Sequence, residues 1–411
     1  MYGLIKICAV AALSFALAVL PAGAAAIKLG RGINLDIWDS WPAEARWGER
    51  AALLPYPQWQ ARLGPDAFVD LKRAGFDFVR IPVDPAPFLS PKTQAFRDAL
   101  FQSVLQAVRT VNEAGMKAVV DLHAIPSGDR SFSTEMLNDD AALFDRYIAL
   151  VGRMARTLAE EDAAGVALEL MNEPQAGCDG RAERWAAMLA KLHAAARMAA
   201  QRLTLVLPGG CWSGAESLAA LDPAAIGDDN VMWTFHSYAP FLLTHQGAGW
   251  AGDFIRYVAG IPYPPNGDNA EKRDAALDAI RARIAAEAPL TRRAGMLAYL
   301  DELVAEIDTP AELQTIMAAP FAAAAAWADG HKIARGDILL GEFGMIRQEY
   351  GTSHVMPPKW RAAYVGDMIA LAEQHDFSWA VWGYGGAFGV VEAFDGRPAE
   401  PAVLDIVRAL P

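Results

Sequence analysis

Eight apolar runs rich in β-branched residues recur along this chain, at 29–36, 76–83, 116–124, 166–174, 204–210, 230–240, 338–345 and 377–386. Between them lie segments of helical period, at 65–74, 94–113, 141–163, 181–201, a stretch ending before Lys332, 359–375 and 402–410. Strands that alternate with helices form a parallel sheet, and eight is the number that closes a (β/α)8 TIM barrel. The competing α/β arrangement is an open, doubly wound sheet, which carries a glycine-rich phosphate loop after its first strand. Here Gly30-Arg31-Gly32 leads into a strand instead.

A plain barrel needs roughly 250 residues, and this chain has 411. Two connections hold most of the surplus. The first, about 37–64, carries Trp38, Trp41, Trp47, Tyr56 and Trp59; the second, about 241–337, has helical stretches expected at 271–288, 292–306 and 310–330. No Ser/Pro-rich linker and no repeat marks off a second domain. The expectation is one barrel over 27–411, with 241–337 as a large insertion between the sixth and seventh strands. Both long connections follow strands and so emerge on the catalytic face.

Residues 1–26 are set aside as a secretory signal: Lys6 precedes an apolar run over 7–20, and small residues close the segment near Ala24 and Ala26. A secreted or periplasmic protein, off the membrane once the signal is removed, is expected. Cys178 and Cys211 then remain. In an exported protein such a pair reads as one disulfide rather than a metal site. They follow the fourth and fifth strands, so a bridge would tie two active-site loops together. With 36 basic against 49 acidic residues, a net charge of −13, the chain has no basic footprint for nucleic acid and would be repelled by an anionic lipid surface. A monomer is expected.

In barrels of this kind, polar residues at the carboxyl ends of the strands make the active site. Reading those ends in order gives Arg80, His123, Asn172-Glu173, His236 with Tyr238, Glu342 and Trp382. His236 and Tyr238, two apart on a strand, share a face; Glu169 and Glu173, four apart, would share one too, with Glu169 deeper inside. Two carboxylates across a barrel mouth suit glycoside hydrolysis, which needs one held protonated and the other ionised. Arg80 and the Tyr238 hydroxyl would hold Glu342 charged, and a less polar setting would keep the proton on Glu173.

These residues fall in motifs that resemble glycoside hydrolase family 5, the cellulase family. They are Asn172-Glu173-Pro174, Phe235-His236-Ser237-Tyr238, Gly341-Glu342-Phe343-Gly344 and Val381-Trp382-Gly383-Tyr384, with Phe78-Val79-Arg80-Ile81-Pro82 and Asp121-Leu122-His123 before them. The resemblance runs from Gly32-Ile33-Asn34-Leu35 to Trp382. It implies a retaining two-glutamate mechanism, with Glu173 as acid/base and Glu342 as nucleophile. It further implies that Asn172 binds the sugar 2-hydroxyl, that Arg80 and Tyr238 position Glu342, that His123 and His236 line the cleaving subsite, and that Trp382 is its stacking platform.

Trp212 and Trp38, after the fifth and first strands, stand at the right end of the barrel to join the substrate-binding set, and Trp250 in the insertion is a further candidate. Trp233 and Trp379 lie inside strands and belong to the core. The expected substrate is a polysaccharide or oligosaccharide of β-glucan type. A transglycosylase, an exo-acting trimming enzyme or a non-catalytic carbohydrate-binding barrel are the alternatives. A metal centre built on Asp121, His123, His236 and Glu342 lacks the H-x-H or H-E-x-x-H spacing that local ligand pairs require, so no metal and no cofactor is expected. The family's short connection after the sixth strand is replaced here by the segment starting Phe241-Leu242-Leu243-Thr244-His245, which lies where leaving-group sugars would bind and puts a simple cellulose preference in doubt.

Overall fold

The computed structural model describes residues 27–36, 41–54, 63–124, 137 and 140–411. The expected signal at 1–26, Trp38, Tyr56 and Trp59 lie outside the described residues. Eight strands close into a parallel barrel in chain order: β1 (Arg31–Asn34), β2 (Phe78–Val83), β3 (Lys117–Leu122), β4 (Val166–Glu169), β5 (Thr204–Pro208), β6 (Val231–His236), β7 (Ile338–Phe343) and β8 (Ser378–Val381). Each is shorter than its apolar run, because pairing ends where the chain peels outward at the mouth. On β4 the register stops at Glu169 opposite Val206, although the apolar run continues.

Strand alternation divides the core in two. One set of side chains faces the helices. The other fills the barrel, where Phe78, Val119, Ala167, Val206, Met232, Leu339 and Ala380 form an apolar layer that Ile27 stoppers from below. The Phe78 ring occupies the space beside Gly32, where an added Cβ would lie 2.3 Å from it. One step toward the mouth, the inward positions turn polar, with Asn34, Arg80, Asp121, Glu169 and Thr234 all buried.

Two departures from the sequence expectation are informative. After β5 the chain forms a one-turn helix, Ala215–Ala219, too short to show a period. The long connection after β6 is also not insertion throughout. Its helices are Ala270–Glu287, Arg293–Ala305 and Pro310–His331. The last of these is the barrel's own sixth helix, packed between Ala215–Ala219 and Pro358–Gln374. Phe321 meets Phe235 of β6 edge to face at 5.7 Å, and Trp327 meets Trp233 at 5.1 Å and donates its ring N–H to the Leu221 carbonyl. Thr309 and Glu312 close its N-terminus with a capping box. The added material is therefore the stretch before Thr309.

Phe321 is fully buried against the outer face of the barrel. Phe321→Ala should lower stability by about 3–5 kcal/mol, read from chemical denaturation, since it leaves an aromatic-sized cavity.

Candidate active site

Arg80 stands at the floor of the mouth, fully buried, with every guanidinium nitrogen engaged. It donates through Nε and Nη2 to both oxygens of Glu169 (2.7 and 2.9 Å) and through Nη2 to Asn172 Oδ1 (2.8 Å). Nη1 donates to Asn34 Oδ1 (2.9 Å) and to Glu342 Oε1 (2.7 Å), and Asp121 Oδ2 lies 2.9 Å from Nη2. A buried cation persists only when paired. Here three carboxylates hold the guanidinium charged despite the cost of burial. Burial in turn pushes Asp121 up to about 7 against the pull of Arg80, and raises Glu169 for the same reason.

Arg80 also fixes the hydrogen-bond directions around it, because it can only donate. Asn172 must turn its carbonyl oxygen to Arg80, so its amide nitrogen faces His123 Nε2 at 3.2 Å and donates to it. The His123 proton therefore sits on Nδ1, directed at Asp121 Oδ2 at 2.8 Å. Burial pushes His123 below its ordinary range, which keeps it neutral. Its ring stacks on Trp382 at 5.6 Å, 22° between planes.

Glu342, the penultimate residue of β7, has both carboxylate oxygens held: Oε1 accepts from Arg80 and Oε2 from the Tyr238 hydroxyl at 2.9 Å. Glu173 sits differently. It lies past the end of β4 at φ +40°, a left-handed conformation that a non-glycine residue adopts only under strain. Strand alternation therefore does not aim it. Glu169 points into the barrel toward Arg80, while the backbone twist at Glu173 turns the second carboxyl into the cleft. Its Oε1 lies 2.9 Å from His236 Nδ1.

His236 Nε2 is buried without a partner, tight against the backbone of Gly341, where an added Cβ would lie 2.9 Å from it. A proton there would be an unpaired buried donor, so the imidazole carries its proton on Nδ1 and donates to Glu173. Burial lowers His236 to about 4, so it is neutral near pH 7. Burial raises the Glu173 carboxyl above its ordinary value, opposed by His123 and Arg80. One oxygen each from Glu173 and Glu342 and a ring nitrogen of His236 lie within 4.8 Å of one another.

Around these groups opens a cavity of about 670 Å³. Trp382 walls one side, and Trp212, Phe241 and Trp250 rise on the other. The structure joins Cys178 to Cys211 in a disulfide with Cα atoms 4.7 Å apart. Cys211, Trp212 and Ser213 are consecutive left-handed residues (φ 43°, 62° and 55°), and the backbone N–H of Trp212 donates to the Pro174 carbonyl at 3.1 Å. The result is a tryptophan half out in solvent, 51% exposed, on a pinned backbone. Trp233 and Trp379 are core residues, and Trp47 packs its loop down.

The structure thus brings Arg80, His123, Asn172, Glu173, His236, Tyr238, Glu342, Trp212 and Trp382 together at one mouth. In the sequence, Asn34, Phe241 and Phe388 go unread as site residues, and Asp121 is taken only as a metal-ligand candidate. Asp121 carried a signal, since it lies two residues from His123 on one strand and shares its face. Phe241 carried a weaker one, four residues before His245 across a single helical turn, Phe241–Thr244. The rings of Phe241 and His245 stack at 4.1 Å, and Phe388 and Tyr238 meet His245 edge-on.

Comparison with known proteins gives a consistent picture. The model of the family described as Cellulase (glycosyl hydrolase family 5) matches residues 55–387. Endoglucanase C of Acetivibrio thermocellus is 25% identical over 204 residues, 49% of this chain and 58% of that protein. Endoglucanase 3 of Fibrobacter succinogenes is 23% identical over 335 residues, 77% of this chain and 45% of that protein. The chain therefore spans about half the length of these relatives. Among solved structures, the cellulose synthase subunit Z of Clostridioides difficile superposes with a TM-score of 0.63 at 19% identity, covering 92% of this chain and 99% of that one. Thermotoga maritima Cel5A with cellobiose gives 0.61 at 20% identity, covering 92% and 97%. These two share the fold.

The Arg80 network makes a stability prediction. Arg80→Met should cost about 3–5 kcal/mol in urea denaturation, because it strands buried carboxylates without their cation. Arg80→Lys should recover little of this, since a point charge cannot reproduce the planar fork.

Proposed function

The chain belongs to glycosyl hydrolase family 5, the cellulase family, and we propose that it hydrolyses the β-glycosidic bonds of a glucan with retention of anomeric configuration. The observation that carries this is the pairing of Glu173 with Glu342 across the mouth, with oxygens within 4.8 Å. Retaining enzymes hold their two carboxyl groups about 5–5.5 Å apart, whereas inverting ones leave about 6.5–9.5 Å for a water.

In this reading Glu342 attacks the anomeric carbon, its two oxygens already oriented by Arg80 and Tyr238. Glu173 protonates the departing oxygen, forming the alcohol of the leaving sugar while the C–O bond breaks. His236 donates to Oε1 of Glu173, which leaves Oε2 free to carry the transferred proton. Glu173 then takes a proton from water, and the hydroxide oxygen displaces Glu342 and restores both residues. Asn172 has committed its Oδ1 and one amide proton, and its second amide proton is available to a sugar hydroxyl. Among the described residues lining the cavity none is Lys or Arg, which favours a neutral glucan over an acidic polysaccharide. Export through the 1–26 segment belongs to the same reading, and the disulfide supports it, since such bonds persist in oxidising compartments. The aromatic leaving side favours one second reading, transglycosylation, in which a sugar hydroxyl replaces water; products longer than the substrate would reveal it.

Glu342→Ala should still fold, at some cost in stability since Asp121 and Glu169 remain to pair Arg80, and lose about 10⁴-fold or more in turnover on a soluble β-glucan. Glu173→Ala should lose roughly 10²–10⁴-fold there, keep activity on an aryl glycoside with a good leaving group, and be accelerated by azide with a β-glycosyl azide as product. A first-formed α-anomer in the NMR spectrum of the wild-type reaction would refute retention.

The pH profile supplies a separate check. Glu173 must be protonated to act, and its folded pKa is raised, so activity should persist until pH climbs through that raised value. The alkaline limb of kcat/KM should lie above the 4.5 of an ordinary glutamate. In Glu173→Ala, assayed on the aryl glycoside, that limb should vanish.

A further inference from the structure

The segment after β6 contributes more than one wall of the cleft. Phe241 and Ala251, which line the cavity around Glu173, also line a second cavity of about 440 Å³ that continues outward from it. That second cavity lies between residues 251–255 and the inserted helix Arg293–Ala305, with Phe254, Met296 and Tyr299 on its surface and Arg292 at its edge. Large apolar side chains are costly to leave in water when they cluster. Phe241 (42% exposed), Trp250 (58%) and Tyr299 (47%) are nevertheless left open along these two adjoining cavities, beside Trp212. The Tyr299 ring is set by an edge-to-face contact with Phe254 at 5.1 Å, so its free face has a fixed orientation. Arg292 is bound to Asp253 in an exposed ion pair, which gives the rim hydroxyl-binding groups without a free charge.

We propose that this second cavity is a distal subsite for the leaving-group portion of a glucan chain, with Tyr299 as its stacking platform. The inference rests on the hydrolase reading and extends it. Direction follows from the barrel order: Trp382 on the β8 side takes the sugar that Glu342 attacks. The loops after β5 and β6, on the flank of Glu173, take what departs. A sugar ring presents an apolar face and an equatorial rim of hydroxyls, which suits an oriented phenol above a polar edge. The chain thus runs from Trp382, past the glutamates and over Phe241, to Tyr299.

The test compares the wild-type chain with Tyr299→Ala and Tyr299→Phe on ladders of β-1,4- and β-1,3-linked gluco-oligosaccharides of increasing length, and on an aryl β-cellobioside too short to reach the second cavity. Wild-type kcat/KM should rise with length. Tyr299→Ala should lose roughly 2- to 10-fold on the longest members while matching wild type on the aryl substrate, and should shift the bond cleaved in long oligosaccharides. Tyr299→Phe should retain wild-type behaviour, since the ring face remains. Equal rates for Tyr299→Ala and wild type at every length would overturn the subsite, as would an equal loss on the aryl substrate. A wild-type chain that cleaves no member of either ladder nor the aryl substrate would instead overturn the hydrolase reading beneath it.

Discussion

A single buried cation organises this molecule. Arg80 reaches across the barrel to partners on β1, β3, β4 and β7, so five of the eight strands meet at one guanidinium. Removing such a charge from water is unfavourable unless every donor is satisfied and counter-charges are close. Satisfying it dictates which side chains occupy the polar layer above the apolar plug. That layer is also the floor of the cleft. The interactions that close the barrel at this level are the ones that orient Glu342 and Asn172, so stability and site geometry cannot be tuned independently there.

From that floor upward, the protonation pattern follows by elimination. Arg80 can only donate, which turns Asn172, which sets the His123 tautomer. On the other side, the close backbone of Gly341 leaves His236 Nε2 no partner, which sends its proton to Glu173. Burial keeps both histidines neutral. The two glutamates therefore face unlike surroundings: one, buried, takes a guanidinium and a phenol, and the other, nearer solvent, takes only a neutral imidazole. This is the separation of environments that a pair of acids with different tasks requires.

Much of this was legible in the amino-acid order. The eight runs located the strands because every barrel strand is buried on both faces and needs continuous apolar character. The strand ends then exposed Arg80, His123, Asn172, Glu173, His236, Tyr238, Glu342 and Trp382. What the order concealed had physical causes. The apolar run through β4 does not say where pairing stops, so the left-handed turn that aims Glu173 was invisible. A one-turn helix after β5 has no period to read. The helix Pro310–His331 looked like insertion because a long segment precedes it, and only its packing against β6 identifies it as part of the barrel. Phe241 and Phe388 read as ordinary apolar residues, since an aromatic beside a cleft differs from one in a core only by what lies above it.

The bridge between Cys178 and Cys211 has a mechanical consequence for the cleft. It joins the loop after β4 to the loop after β5 covalently, and backbone hydrogen bonds from Cys211 and Trp212 to Ala176 and Pro174 double the connection. The adjoining part of the rim, Phe241 on His245 with Phe388 and Tyr238 behind, is held by ring contacts worth about 0.5–1.5 kcal/mol each. The two parts therefore differ in compliance. Any widening of the cleft at this rim is expected to come from the stacked rings and not from the bridged loop. The rim thus has a covalently fixed portion beside Glu173 and a portion held only by packing.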